Sequence, residues 1–227
     1  MLKLGDPKNA FWEALLLTVI VFVIGLLIGV AVENSRADKL NTSYENSEIS
    51  LMDVLTLESI SSMDGLSCDN LIGSNLAFAD RIYEESRILD NYNSANKISS
   101  EIKTVYKKYD LLRTLLWSGA LKVREQCPDR FSIVVYLYQR EGSSIDEKAA
   151  QNVWSKILGE LKERRGGDIV LIPISVDNDL SSLALMISQY NISSYPAVIV
   201  NDHVFTEPVT VEDLESYLDD DSLIHLN

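Results

Sequence analysis

Apolar positions run unbroken by charge from Ala14 to Val32, in the stretch ALLLTVIVFVIGLLIGVAV. As a helix this segment reaches about 28 Å, enough to cross the hydrocarbon core of a bilayer. A secretory signal peptide is the competing reading, but its apolar core is usually about 7 to 15 residues, so the length predicts an uncleaved signal-anchor. Phe11 and Trp12 at the upstream edge suit a membrane–water interface. Lys3, Lys8 and the terminal amine face Arg36 and Lys39 across the span, a slight basic excess that leans the N-terminus inward and the rest of the chain outward. Within the span Gly25 and Gly29 form a GxxxG, which lets two helices approach closely and makes a homodimer one option.

Beyond the span the pattern turns polar. Residues 34–49, rich in Asn and Ser, read as a stalk, and Asn41 opens an N-x-S sequon inside it. A short apolar stretch, Leu51 to Leu57, follows. Ile72, Leu76, Ala79, Tyr83 and Ser86 then recur at steps of three and four. The same rhythm continues through Ile98, Ile102, Val105, Tyr109, Leu112, Leu116, Gly119 and Val123, for over three heptads. NYNSANK between the two stripes has loop composition, so two antiparallel helices are expected. Their stripes bury either within the chain or as a coiled coil with a second copy. Tyr109 and Gly119, in place of uniform Leu and Ile, favour the intramolecular hairpin.

The period changes again after Pro128. FSIVVYLYQ reads as a buried strand, and Ser144 with Glu147 forms a capping box opening a helix that Gly166 and Gly167 end. DIVLIPISVD is a second buried strand; Asp179 is placed to cap the next helix. A β-α-β unit of this kind places its two strands parallel. AVIV and HVFT flank Asn201-Asp202, a two-residue hairpin turn, and Thr210 with Asp213 caps a last helix, Val211 to Leu218.

The formal charge of −14 changes the list of partners more than it changes the fold. Residues from Asp129 onward hold 7 basic and 17 acidic side chains. Such a surface argues against tracking nucleic-acid phosphates and against docking on anionic lipid headgroups. The only two cysteines, Cys68 and Cys127, are too far apart in sequence for a CxxC pair. After a membrane anchor, an even count points to export and one disulfide, and the hairpin would bring the two together; two buried free thiols are the alternative. His203 and His225, the only histidines, lack zinc-ligand spacing and read as solvated. Asp219-Asp220-Asp221 reads as a solvated acidic end. No pattern calls for a metal or a cofactor.

The order β-α-β-α-β-β-α, with Pro196 opening the third strand in ALMISQYNISSYPAVIVNDHVF, resembles the thioredoxin-like superfamily from Phe131 to about Leu218. The resemblance implies that Pro196 is a cis-proline and that Ser194, Tyr195 and Pro196 face an extended peptide. Thioredoxins carry CxxC in the loop after the first central strand. Here that loop reads QREGSSIDEK, with Ser143 and Ser144 near the relevant place and no cysteine. A second sequon, at Asn191, sits beside the same loop.

The expected fold class is α/β: a thioredoxin-like C-terminal domain (128–227) preceded by an all-α helical hairpin region (50–127), a polar stalk (34–49) and an N-terminal transmembrane anchor (1–33). The expected function is that of a membrane-anchored, extracytoplasmic, redox-inactive binding protein for an extended polypeptide or a membrane-complex subunit, with no cofactor. Two alternatives stand beside it: a thiol-disulfide oxidoreductase using Cys68 and Cys127, and a structural dimerising membrane protein.

Overall fold

The structure, a computed structural model, describes residues 7–61, 65–93, 100–128 and 130–218. The chain divides into two compact units, Met1–Glu45 and Asn46–Asn227. Helix α1 spans Pro7–Ser61. Its portion Phe11–Val32 has a mean hydropathy of 3.1, is long and apolar enough to cross a membrane, and is not buried within the protein. The segment whose composition reads as a stalk is helical as well. Once a helix is nucleated, each added residue fixes one more backbone bond, so Ala37, Lys39, Leu40 and Glu45 carry it through the intervening Asn and Ser.

The second unit continues with α2 (Cys68–Asn93), α3 (Ser100–Gln126), β1 (Ser132–Tyr138), α4 (Ile145–Arg165), β2 (Ile169–Ser175), α5 (Ser181–Gln189), β3 (Ala197–Val200), β4 (His203–Phe205) and α6 (Val211–Leu218). The sheet order is β2-β1-β3-β4. β1 and β2 are parallel from Ser132↔Ile169 to Tyr138↔Ser175, whereas β3 runs antiparallel to β1 with Leu137↔Ala197 in register. β1 is buried along almost its whole length because both faces of the sheet are covered. On one face α4 and α6 set Trp154, Leu158, Leu161, Val211 and Leu214 against Val134, Tyr136, Val198 and Val200. On the other, α3 packs on β1, β2 and α5, with the Trp117 ring stacked 5.5 Å from that of Tyr190. Pro173 lies in the middle of β2, tolerated there because β2 is an edge strand.

Helix α3 is buried on two sides. Val105, Tyr109, Leu112, Leu116 and Val123 form the expected seam, while Tyr106, Trp117 and Ala120 add a second apolar face. The hairpin is therefore part of the same compact unit as the sheet. The stripe on α2 departs from the expected one in its middle: Ile72 and Ser86 are buried as expected, but Leu71, Phe78 and Ile82 are buried too, Leu76 and Ala79 are half-buried, and Tyr83 is 56% exposed. Ile98, the side chain of Ile102 and most of the NYNSANK loop lie outside the described residues.

The caps follow local rules with one exception. Ser144 and Glu147 complete their capping box, and Gly166 ends α4 at φ 53. The Thr210 N–H donates to the Asp213 carboxylate (3.1 Å) while the Asp213 N–H donates to the Thr210 hydroxyl oxygen (3.1 Å). Asp179 does not cap α5. Leu180 takes the N-cap place with no side-chain bond, because the helix starts one residue later than the acid would need.

Candidate functional site

Three loops meet at one end of the sheet, as the register requires. The loops after the parallel strands β1 and β2 leave from the same end, and β3 enters there because Ala197 lies opposite Leu137. Pro196, immediately before Ala197, is buried; the Tyr195–Pro196 peptide bond is cis. Tyr195 is half-buried, with burial pushing its hydroxyl pKa up, and Ser194 is exposed. Asn191, exposed and at φ 52, is part of the same loop.

The β1–α4 loop beside it is held by its neighbours. The backbone N–H groups of Arg140 and Glu141 both donate to the Asp177 carboxylate, the latter at 2.8 Å. The Ser143 hydroxyl donates to the Gln139 carbonyl at 3.1 Å and accepts from the Gln151 amide at 3.3 Å. Ser144 is engaged in the cap: its N–H donates to Glu147 at 2.6 Å. The Val176 N–H donates to the Tyr138 carbonyl, at 2.9 Å, and links the first two loops.

Beneath the loop lies a buried ionic cluster that the sequence did not reveal. Asp110 of α3, fully buried, accepts from the Arg113 guanidinium (3.2 Å), from the Ser175 N–H (3.2 Å) and from the Asn178 amide. The Arg140 guanidinium lies 3.6 Å from the same carboxylate and 3.9 Å from the centre of the Tyr106 ring. Burial pushes the Asp110 carboxyl pKa up, and the charges of Arg113 and Arg140 pull it back. One signal was available: the apolar residues of α3 occupy two faces, which leaves little solvent-facing arc for a mid-helix Asp.

The disulfide is at the other end. Cys68, the first residue of α2, is bonded to Cys127 just past α3, with Cα atoms 5.7 Å apart. This pairing joins the start of one helix to the end of the next, as an antiparallel hairpin needs. Cys127 precedes β1, on the side where the Asn201 side chain accepts from the Ile133 N–H at 3.0 Å and Arg124 pairs with Asp202 at 3.0 Å. It is therefore separated from the Pro196 loop by the length of the strand.

A family profile described as Thioredoxin matches residues 80–220. The chain belongs to the thioredoxin family. The match begins well upstream of Phe131, where the resemblance was first legible, and takes in most of the α2–α3 hairpin of this thioredoxin-family protein. No curated protein and no solved structure matches the chain.

The remaining candidates are scattered. His203 is half-buried and packs its ring on Tyr217 with centroids 4.6 Å apart, so it is not the solvated histidine expected; a ring on a neighbouring aromatic is covered on one face. His225 and Asp219-Asp220-Asp221 lie outside the described residues, as does the side chain of Asn41, whose backbone is in α1. No cluster of metal-ligating side chains occurs among the described residues.

Proposed function

We propose that this thioredoxin-family protein is anchored by residues 11–32, carries its C-terminal domain outside the cytoplasm, and binds extended polypeptide segments at the Ser194–Tyr195–Pro196 loop. It would act as a chaperone-like holder or as a subunit of a membrane complex. One observation carries the reading: the sheet end at which a redox-active thioredoxin keeps its CxxC holds serines committed to structural hydrogen bonds, while both cysteines are joined at the opposite end. A hydroxyl forms no disulfide, and a cysteine held in a disulfide offers no thiolate. What remains beside Pro196 is a pre-organised surface of half-buried Tyr195 and exposed Ser194. The disulfide and the apolar helix support an oxidising, extracytoplasmic side.

The test uses the full chain in a non-ionic detergent and a permanently unfolded probe, reduced and carbamidomethylated ribonuclease. Saturable binding that Tyr195→Ser weakens is expected. Absence of saturable binding would overturn the reading. Accelerated reduction of insulin by dithiothreitol, lost in Cys68→Ser, would replace it with the oxidoreductase.

A further inference from the structure

Two N-x-S sequons stand in the chain, at Asn41 and Asn191, and the fold treats them differently. Position 41 is inside α1, whose backbone is helical from Pro7 to Ser61. A helix sets residues two apart about 200° around its axis, so positions 41 and 43 lie on different sides of α1 and cannot be read together.

Asn191 is free of that constraint. It follows α5, which ends at Gln189, and no helix or strand takes in residues 190–196. Its φ of 52 is a left-handed conformation that asparagine adopts more readily than most residues, and its backbone N–H donates to the Ser188 carbonyl at 3.3 Å. Asn191 and Ser193 are exposed, with half-buried Ile192 between them. Neither polar side chain has a hydrogen-bond partner among the described residues. The end of a helix accounts for Asn191 alone. It gives no reason for an unpartnered hydroxyl two residues later. An asparagine amide and that hydroxyl, both in solvent on irregular chain, are what a sequon in a surface loop of an exported protein requires.

Resting on the extracytoplasmic reading above, which the apolar span and the Cys68–Cys127 bond support, we propose that Asn191, and not Asn41, is the acceptor of an N-linked oligosaccharide. The donor is an oligosaccharide carried on a polyprenyl phosphate or diphosphate. The Asn191 Nδ2 forms a bond to the anomeric carbon of the first sugar, and the bond from that carbon to the phosphate oxygen breaks. The lipid phosphate leaves with the electron pair, and the amide nitrogen gives up one proton. The sugar then stands on the stretch of chain that leads to Tyr195 and Pro196.

Cell-free synthesis of the full chain with endoplasmic-reticulum microsomes tests the site, because these membranes supply both the transferase and the lipid-linked donor. A single glycosidase-sensitive shift in mobility is expected. Ser193→Ala should abolish it, Ser193→Thr should retain it, and Asn41→Gln should leave it unchanged. Ser193→Ala does not touch the left-handed residue, and Asn191→Gly, which suits the same φ, should also lose the shift. A glycine–serine tail ending in Asn-Ser-Thr, added to the C-terminus, reports which side of the membrane the domain occupies. A modified tail with a bare Asn191, or a shift that Asn41→Gln removes, would overturn the proposal. If tail and Asn191 both stay bare, the extracytoplasmic reading itself fails and takes the proposal with it. From the protein's own membranes, the proteolytic peptide spanning Asn191 should be heavier by whole sugar residues. Recovery of the bare peptide alone would overturn the assignment.

Discussion

The Asp110 carboxylate accepts a hydrogen bond from the backbone N–H of Ser175 at 3.2 Å, so α3 is fastened by a buried charge to the last residue of β2. Arg113 and Arg140 supply the compensating charge. Removing the carboxylate leaves two guanidinium groups short of a partner in a buried place. Asp110→Ala should therefore destabilise the protein by about 3–5 kcal/mol. Asp110→Leu combined with Arg113→Met should recover a large part of that loss. Urea denaturation measures both, and a loss below about 1 kcal/mol for Asp110→Ala would contradict the assignment.

The disulfide closes a sequence separation of 59 residues. On the chain-entropy account such a loop is worth about 4 kcal/mol, with measured losses commonly about 2–5 kcal/mol. The double variant Cys68→Ala, Cys127→Ala should melt at a markedly lower temperature and become indifferent to added reductant. Its binding of unfolded ribonuclease should be unchanged below the melting transition, since the bond is at the opposite end of β1 from Pro196.

Acid should loosen α6 before other elements. The Thr210 hydroxyl and N–H both donate to Asp213 and hold its carboxyl pKa below the ordinary 3.8; the hydroxyl bond contributes most. A carboxyl depressed in the folded state adds stability above its unfolded pKa and loses that stability as pH falls through the folded pKa. Amide protection in α6 should stay level above the ordinary carboxyl range and decline below pH 3.8. Asp213→Asn should flatten that decline; an identical acid profile in the variant would exclude the cap as its source. Hydrogen exchange followed residue by residue gives the answer.

Trp117 has no solvent exposure, and its ring stacks on Tyr190 at the end of α5. Truncation to alanine should destabilise by about 3–5 kcal/mol, mostly through the cavity left between α3 and α5. Trp117→Phe should lose much less. Denaturation curves for the two variants that coincide would show that the ring contact is energetically idle.

The parts of the fold that depend on neighbours in sequence were legible in the sequence. The β-branched run of β1, the boxes at Ser144–Glu147 and Thr210–Asp213, and the Asn201-Asp202 turn each express a local rule. The middle of the α2 stripe was misphased because Phe78 and Ala79 are both apolar, although Ile72 and Ser86 at its ends are buried as expected. A shift of one residue rotates a helix face by about 100°, and only the position of α3 decides between the two settings. Asp110 was hidden for a similar reason. Its partners Arg140, Ser175 and Asn178 are remote in the chain, and only Arg113 stands near it in sequence. At the candidate site, Pro196 and the missing CxxC were visible in the sequence, but the burial of Asp110 required the packed fold.

Pro173 gives the sheet a direction of growth. The two outer strands are β2 and β4, and the nitrogen at the centre of β2 has no hydrogen to offer a passing strand. Of the two outer strands among the described residues, β4 is therefore the one along which additional backbone pairs well. A contact that joins β4 of one copy to β4 of another uses up that edge in each. A pair formed in this way presents a proline-blocked strand on both outer sides, and the chain of sheet-to-sheet additions that leads to fibres stops at two.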